Sequence, residues 1–174
     1  MFELEKDDHV NSLIEITKSN SGISGPTLAK AHMELGGLLA DKLPDMKPAD
    51  TTIVAILRGG IFFAEGMYFK MGCRFETYDP KNGLFHRPES KHVILVDSVI
   101  NTGRTIEKIL DENMLVACCV ASERAAALLG DQLYTIRVSQ NSFEGAAVSV
   151  QKGTVGPDTT MRLFNQIRCS LFHC

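Results

Sequence analysis

The segment from His92 to Thr105 contains the residue types that most directly indicate chemistry. An apolar run ends at Asp97, and a short connection leads to Thr102-Gly103-Arg104-Thr105, where the pattern predicts a helix start. Free backbone N–H groups at a helix start attract phosphate, and glycine permits close backbone approach. A carboxylate at a strand end can bind ribose hydroxyls. The spacing favours a site for a phosphorylated sugar, with a plain helix cap and turn as the alternative.

A second anion-binding pattern precedes the first. Arg58-Gly59-Gly60 follows the apolar run 53–57. An arginine at a strand end provides a fixed cation, and two glycines leave their backbone N–H groups unhindered, which suits a pyrophosphate. A surface arginine beside an ordinary turn is the alternative. Because Arg58 and Asp97 both end predicted parallel strands, we expect them to share one site at the same edge of the sheet.

Three segments together resemble the type I phosphoribosyltransferases, whose sugar donor is 5-phosphoribosyl-1-pyrophosphate (PRPP). Residues 93–105 are similar to the PRPP loop of that family, an apolar strand with one or two acidic residues followed by Thr-Gly-x-Thr. Residues 53–61 and 156–164 resemble two segments of its uracil branch, the Leu-Arg-Ala-Gly strand end and the C-terminal segment around the base. Asp97 is followed by Ser98 instead of a second acid, which is nearer to the Asp-Pro pair of the uracil branch.

The resemblance implies a role for each of these positions. Asp97 would orient the ribose and Arg58 would steady the leaving pyrophosphate, so these two are the expected catalytic residues. The expected PRPP-binding residues are Arg58, Gly59, Gly60, Asp97, Ser98, Val99, Ile100, Asn101, Thr102, Gly103, Arg104, Thr105 and Asp158. The expected base-binding residues are Lys152, Pro157, Asp158 and Thr159. Without the resemblance, Asp158 and Arg162 indicate only an exposed turn and a solvated cation.

Residues 78–91 have little apolar periodicity and predict a loop between sheet elements, either a lid or a simple surface connection. Tyr78 stands where the family usually has an arginine, so the resemblance leaves Lys81 or Arg87 to supply positive charge over the pyrophosphate. A closing lid would exclude water from a reactive sugar cation and prevent hydrolysis.

The activity that the resemblance implies is transfer of the 5-phosphoribosyl group from PRPP to a nucleobase, first of all uracil, giving UMP and pyrophosphate in pyrimidine salvage. Mg²⁺ would be bound through PRPP and pyrophosphate, with no metal-ligating side chains. One alternative is a phosphoribosyltransferase for a purine, orotate or another base, because the base segment is the least similar. Another is a non-catalytic PRPP-binding regulator, which Tyr78 favours. Members of the family associate, so a homo-oligomer, a dimer or higher, is expected.

Composition sets limits on the class of protein. A chain of 174 residues with 44% apolar and 22% charged residues suits one soluble domain, taken as 1–174. The net charge of -3 and the absence of a basic block argue against broad nucleic-acid binding. No apolar run approaches the ~20 residues of a membrane span, and the acidic start does not resemble a secretory signal, so a cytoplasmic location is expected. The five cysteines lack metal-ligand spacing, and reduced thiols are expected.

The elements that must position these residues alternate along the chain. Apolar runs predict strands at 52–57, 73–77, 92–97, 115–121 and 132–138, with helices near 61–70, 105–110 and 122–129. This alternation predicts an α/β fold, a single-domain Rossmann-like parallel sheet flanked by helices, as in type I phosphoribosyltransferases. Two further helices are expected before residue 43, and the leucine stripe of the second would either cover the sheet or form an oligomer interface.

Overall fold

The computed structural model describes residues 1–140, 142–144, 147–150 and 158–167. The strands are β1 (Phe2–Glu3), β2 (Thr51–Ile56), β3 (Arg74–Tyr78), β4 (His92–Ile100), β5 (Met114–Ser122), β6 (Leu133–Ser139), β7 (Ser142–Glu144) and β8 (Ala147–Val150). The helices are α1 (Asp8–Thr17), α2 (Gly25–Ala40), α3 (Ile61–Met71), α4 (Arg104–Glu107), α5 (Glu123–Leu129) and α6 (Thr159–Leu163). No helix in the described ranges is long and apolar enough to cross a membrane.

Six strands form one sheet in the order β1-β6-β5-β4-β2-β3, and every neighbouring pair is parallel. Strands β7 and β8 pair antiparallel in a separate sheet. The predicted α/β class is therefore confirmed, as are the strands expected from the apolar runs. Strand β2 is buried along its whole length, including Thr51 and Thr52, which explains why the residues that follow them form an apolar run without alternation.

Helices cover both faces of the parallel sheet. One face packs on α1, α2 and α3 through apolar residues such as Ile94 and Val96 of β4, and the other face packs on α4 and α5 through Val93 and Leu95. The leucine stripe of α2 belongs to the first layer, because Leu35 and Leu39 are fully buried within it. Covering the sheet is therefore the role that the structure gives to this stripe.

Helices α2 and α3 pack with their backbones in close contact, at Gly36 of α2 and Gly66 of α3. A Cβ added to Gly66 would lie 1.8 Å from the carbonyl oxygen of Met33, and one added to Gly36 would lie 2.2 Å from that of Phe63. Neither position can accept a side chain without moving backbone. The crossing fixes α3 against α2, and α3 begins directly after the Arg58-Gly59-Gly60 segment.

Strand β4 is longer than the sequence predicts. It continues beyond Asp97 to Ile100, because Val99 and Ile100 pair with Val120 and Ala121 of β5 and extend the ladder. Branched side chains such as these favour the extended conformation. The helix expected at 105–110 is correspondingly short, and α4 comprises one turn, Arg104–Glu107. The connection between strand and helix is reduced to residues 101–103.

Candidate functional site

Three segments that are distant in the sequence meet around Gly59. An atom at the Cβ position of Gly59 would lie 3.1 Å from each of three side-chain oxygens, Asp97 Oδ1, Ser98 Oγ and Thr160 Oγ1. Its neighbour Gly60 is packed more tightly, with the Cβ position 2.3 Å from the carbonyl oxygen of Val96. The loop after β2, the second half of β4 and helix α6 therefore converge at one point. Arg58, the neighbour of Gly59, and Asp97 therefore lie close together at the same edge of the sheet.

Arg58 is oriented by the C-terminal segment. Its Nη2 donates a hydrogen bond to Gln166 Oε1 at 3.0 Å, and its guanidinium carbon lies 5.1 Å from the ring centroid of Phe164. Phe164 also packs against Phe62 of α3, with ring centroids 5.3 Å apart. The peptide bond between Leu57 and Arg58 is cis. These contacts hold a positive charge beside Gly59. The N–H of Gly60, expected to be free for an anion, instead donates to the carbonyl oxygen of Ile56 at 3.0 Å.

The Asp97 carboxyl has an unusual protonation equilibrium. Burial raises its pKa to about 7, and the negative charge of Asp158 adds to the rise. Hydrogen bonds from the backbone N–H groups of Ser98 and Val99 oppose the shift, and the Ser98 N–H lies 2.7 Å from Oδ1. These two N–H groups, expected among the PRPP ligands, are thus already engaged by Asp97. Near neutral pH the carboxyl can exchange a proton or accept bonds from hydroxyls.

The loop after β4 has a conformation that glycine makes possible. Gly103 has φ +73°, and a Cβ there would lie 2.7 Å from Leu128 Cδ2. The N–H of Arg104 donates to Thr102 Oγ1 at 3.4 Å, and Ser122 Oγ donates to the carbonyl oxygen of Asn101. Because α4 is a single turn, its dipole adds little, and anion binding would depend on the loop amides of 101–105 themselves. Arg104 and Thr105 are exposed here.

Helix α6 is held in place by its two ends. The Asp158 carboxylate accepts a hydrogen bond from the Met161 N–H at 3.0 Å and so caps the helix, with Thr159 in its first turn. Arg162 is buried, and its guanidinium donates to the carbonyl oxygens of Ile23 and Thr17 and to Ser21 Oγ, at 2.9 to 3.2 Å. The interpretation of Arg162 as a solvated cation is wrong, because these partners replace water. The helix is thereby fixed beside Gly59.

Not every expected residue lies at this site. Arg87 lies near the opposite, amino-terminal edge of the sheet, where its Nε donates to Asp111 at 2.7 Å. The structure therefore does not bring Arg87 to Arg58. Lys81 is exposed in the loop that leaves β3, and its N–H donates to Asp79. The expected base ligands Lys152 and Pro157 fall outside the described residues.

Sequence reasoning missed three side chains that the fold places at the site. Thr160 contributes one of the oxygens around Gly59, and Phe164 and Gln166 contact Arg58. Thr160 and Phe164 lie within the segment that resembles the uracil branch, so that resemblance is the one signal that pointed toward them. The contact between Gln166 and Arg58 joins residues that are 108 positions apart, so no local sequence pattern could indicate it.

In the part of the chain that the structure describes, no three His, Cys, Asp or Glu side chains form a metal-binding group. Asp97 and Asp158 interact electrostatically, and with the hydroxyls of Ser98 and Thr160 they form a set of hard oxygen donors. Such donors fit Mg²⁺, which is usually held by one or two carboxylates, waters and substrate phosphates.

The comparisons with known proteins identify the fold. No family model and no curated protein matches the sequence. The AQ2163 protein of Aquifex aeolicus is similar over 97% of this chain and 100% of its own, with 15% identity and a TM-score of 0.70. TT1426 of Thermus thermophilus matches over 78% and 97%, with 16% identity and a TM-score of 0.50. A purine phosphoribosyltransferase of Pyrococcus horikoshii matches over 63% and 84%, with 22% identity and a TM-score of 0.49.

Proposed function

We propose that this chain, as one domain of residues 1–174, transfers the 5-phosphoribosyl group from PRPP to a ring nitrogen of a nucleobase. Uracil is the first candidate acceptor, and the products are then UMP and pyrophosphate. The observation that carries the proposal is the meeting of Arg58-Gly59-Gly60, Asp97 and α6 at the carboxyl edge of a parallel sheet. Open parallel sheets bind their ligands at this edge, in agreement with the proposal.

The loop of residues 101–105 receives the 5-phosphate. Gly103 lets the backbone approach the phosphate closely, and the hydroxyls of Thr102 and Thr105 add donors. The phosphate would fix the sugar in position, and binding energy at this remote group is then available to orient the reacting carbon.

Asp97 and Arg58 act on the two sides of the bond that breaks. In the reaction the C1–oxygen bond to pyrophosphate breaks with its electron pair leaving on oxygen, and C1 bonds to the ring nitrogen, which loses its proton. An ionised Asp97 would bind the ribose hydroxyls and favour positive charge on the sugar, and Arg58 would offset the charge of the pyrophosphate. No nucleophilic side chain is required. Catalysis would rest on position and charge.

Mg²⁺ would accompany the pyrophosphate and neutralise part of its charge. Asp97 and Asp158 are the side chains whose oxygens would face the ion or its waters, since Asp97 lies beside Gly59, next to Arg58, and Asp158 is close enough to act on the charge of Asp97. The protein contributes a small part of the coordination in this scheme, and the substrate contributes the rest.

Uracil is the first candidate because Asp97 is followed by Ser98 instead of a second acid, which is nearer to the Asp-Pro pair of the uracil branch. Orotate and purines are the alternative acceptors. A PRPP-binding regulator without catalysis is a second candidate, which one observation favours: Tyr78 supplies no positive charge and packs edge-on against Phe85, with centroids 5.2 Å apart. We also propose that the protein forms a homo-oligomer, which light scattering would test.

The decisive experiment measures pyrophosphate release with PRPP, Mg²⁺ and uracil, orotate, hypoxanthine or adenine. Release with uracil alone supports the first candidate, and release with another base changes the acceptor. PRPP binding without release on any base supports the regulator. If PRPP does not bind at millimolar concentration, the proposal is wrong. Arg58→Ala serves as the matched variant, in which turnover should fall at least tenfold.

A further inference from the structure

Arg137 lies near the carboxyl end of β6 and has no role in the site described so far. In the register of the sheet, Arg137 pairs with Val120 of β5, and Val120 pairs with Val99 of β4. Neighbouring strands lie about 4.8 Å apart, so the backbone of Arg137 is about 10 Å from that of Val99. Asp97 is two residues before Val99. Arg137 is thus two strands from the expected ribose site, at the same edge of the sheet.

The guanidinium lies on the same face of the sheet as α6 and Gly59. Val120, which pairs with Arg137, packs in the layer with α1, α2 and α3, and paired residues of neighbouring strands point to the same face of a sheet. Leu163 of α6 packs with Leu28 of α2 in that same layer. Arg137 and the helix that carries Asp158 and Thr160 therefore lie on the same side of the sheet.

Arg137 differs from Arg162 in the partners of its donors. The side chain of Arg162 donates to backbone carbonyls and to Ser21, whereas the Nε of Arg137 is buried without a hydrogen-bond partner among the described residues. No ion pair in that part of the chain involves Arg137. An unsatisfied buried donor is costly, and in native proteins such a group is usually bonded to water, an ion or a ligand.

We propose that Arg137 determines acceptor specificity, by donating hydrogen bonds to exocyclic or carboxylate oxygens of the base. The inference rests on the proposed function and specifies its substrate class. A span of about 10 Å from the strand of Asp97 accommodates a ribose and an attached ring. A guanidinium has donors and no acceptor, so an amino group at this position of the ring would leave both partners unsatisfied. The site therefore favours oxo-substituted bases such as uracil, orotate and hypoxanthine over cytosine and adenine.

Binding of nucleoside monophosphates tests this inference directly, with ribose 5-phosphate as the reference ligand. UMP is compared with CMP, and IMP with AMP, since each pair differs by an oxo and an amino group. We expect the parent protein to prefer the oxo member of the pair that it binds. Arg137→Met should weaken that ligand about 10- to 100-fold, with the affinities for ribose 5-phosphate and for the amino member changed less than threefold. Arg137→Gln introduces a carbonyl acceptor, so among the variants its affinities for the oxo and the amino nucleotide should be the most nearly equal.

Arg74→Met is the matched control, because it removes a guanidinium at the amino-terminal end of β3, where Arg74 donates to Ser90. It should leave the preference unchanged. The inference is wrong if the parent prefers the amino ligands, or if Arg137→Met weakens ribose 5-phosphate as much as UMP or leaves the preference intact. In those cases PRPP binding still supports the proposed function. If the parent binds neither PRPP nor ribose 5-phosphate, the proposed function fails and this inference fails with it.

Discussion

At the scale of single residues, the protonation of Asp97 sets the most specific expectations. Its pKa of about 7 lies far above the ordinary 3.8 because the partly buried side chain loses hydration, and the nearby charge of Asp158 adds to the rise. Between pH 4 and pH 7 the folded protein therefore keeps a proton that the unfolded chain has released. Stability must fall as pH rises through this window, since the folded state binds more protons there. The ionised form that suits a sugar cation is thus obtained at a cost in stability.

We predict that kcat/KM of the parent rises about tenfold between pH 6 and pH 8, as Asp97 ionises. Asp97→Asn should have low activity with no such rise, and at pH 8 its free energy of unfolding should exceed that of the parent by about 1–2 kcal/mol. Asp131→Asn is the control, because Asp131 bonds the terminal amine far from the site. Pyrophosphate release and urea denaturation across this pH range provide the measurements. A parent profile that is flat in activity would contradict the assignment.

Gly103 permits a second prediction, which separates backbone strain from crowding. Gly103→Ala should destabilise the protein by about 1–2 kcal/mol, because φ +73° is unfavourable for alanine, and should weaken PRPP binding. Removing the nearby side chain with Leu128→Ala should not restore either property. Gly72→Ala is the matched control, since Gly72 has φ +63° at the end of α3 with open space around it. It should lose similar stability in thermal unfolding and retain PRPP binding in calorimetry.

At the scale of elements, the C-terminal segment connects the site to the rest of the fold. Arg162 ties α6 to the loop between α1 and α2, and Phe164 and Gln166 then reach Arg58. A cation placed over an aromatic ring gains about 0.5–1 kcal/mol when exposed, and the hydrogen bond adds a similar amount. The segment therefore restricts where the Arg58 guanidinium can point.

Loss of this restriction is measurable. Phe164→Ala should raise the KM for PRPP about three- to tenfold and leave the KM for the base nearly unchanged. The control Phe69→Ala removes another ring, which is 70% exposed on α3 and packs on Tyr68, away from Arg58. It should leave both constants unchanged. Steady-state kinetics with each substrate varied in turn would make the comparison, and equal effects of the two variants would contradict a positioning role for Phe164.

The elements themselves were largely predictable from sequence, for a physical reason. Strands buried on both faces, such as β2 and β5, require continuous apolar runs, and these are visible in a single sequence. The end of β4 was not predictable, because its last residues are held by pairing with β5, a non-local interaction. The site residues divide in the same way. Arg58 and Asp97 lie in local sequence patterns that predict a site, whereas the roles of Gln166 and Arg137 depend on neighbours that are remote in the sequence.

At the scale of the whole molecule, ligand binding should be visible as stability. A ligand that binds only the folded state at 100 times its Kd adds about 2.7 kcal/mol. For a chain of this size, we predict that PRPP with Mg²⁺ raises Tm by about 5–10 °C and that Gly103→Val abolishes most of the increase. Differential scanning fluorimetry would measure both. The same shift with inorganic pyrophosphate alone would argue that the 5-phosphate loop contributes little.

Arg162 also bears on how the chain is synthesised. Its guanidinium satisfies carbonyl oxygens at Thr17 and Ile23, which precede it by 145 and 139 positions. During translation these groups leave the ribosome long before their partner does, and they must stay hydrated until it arrives. The early helices can associate with the growing sheet in the meantime. Their connecting loop, however, acquires its final hydrogen bonds only after Arg162 has been synthesised and has left the ribosome.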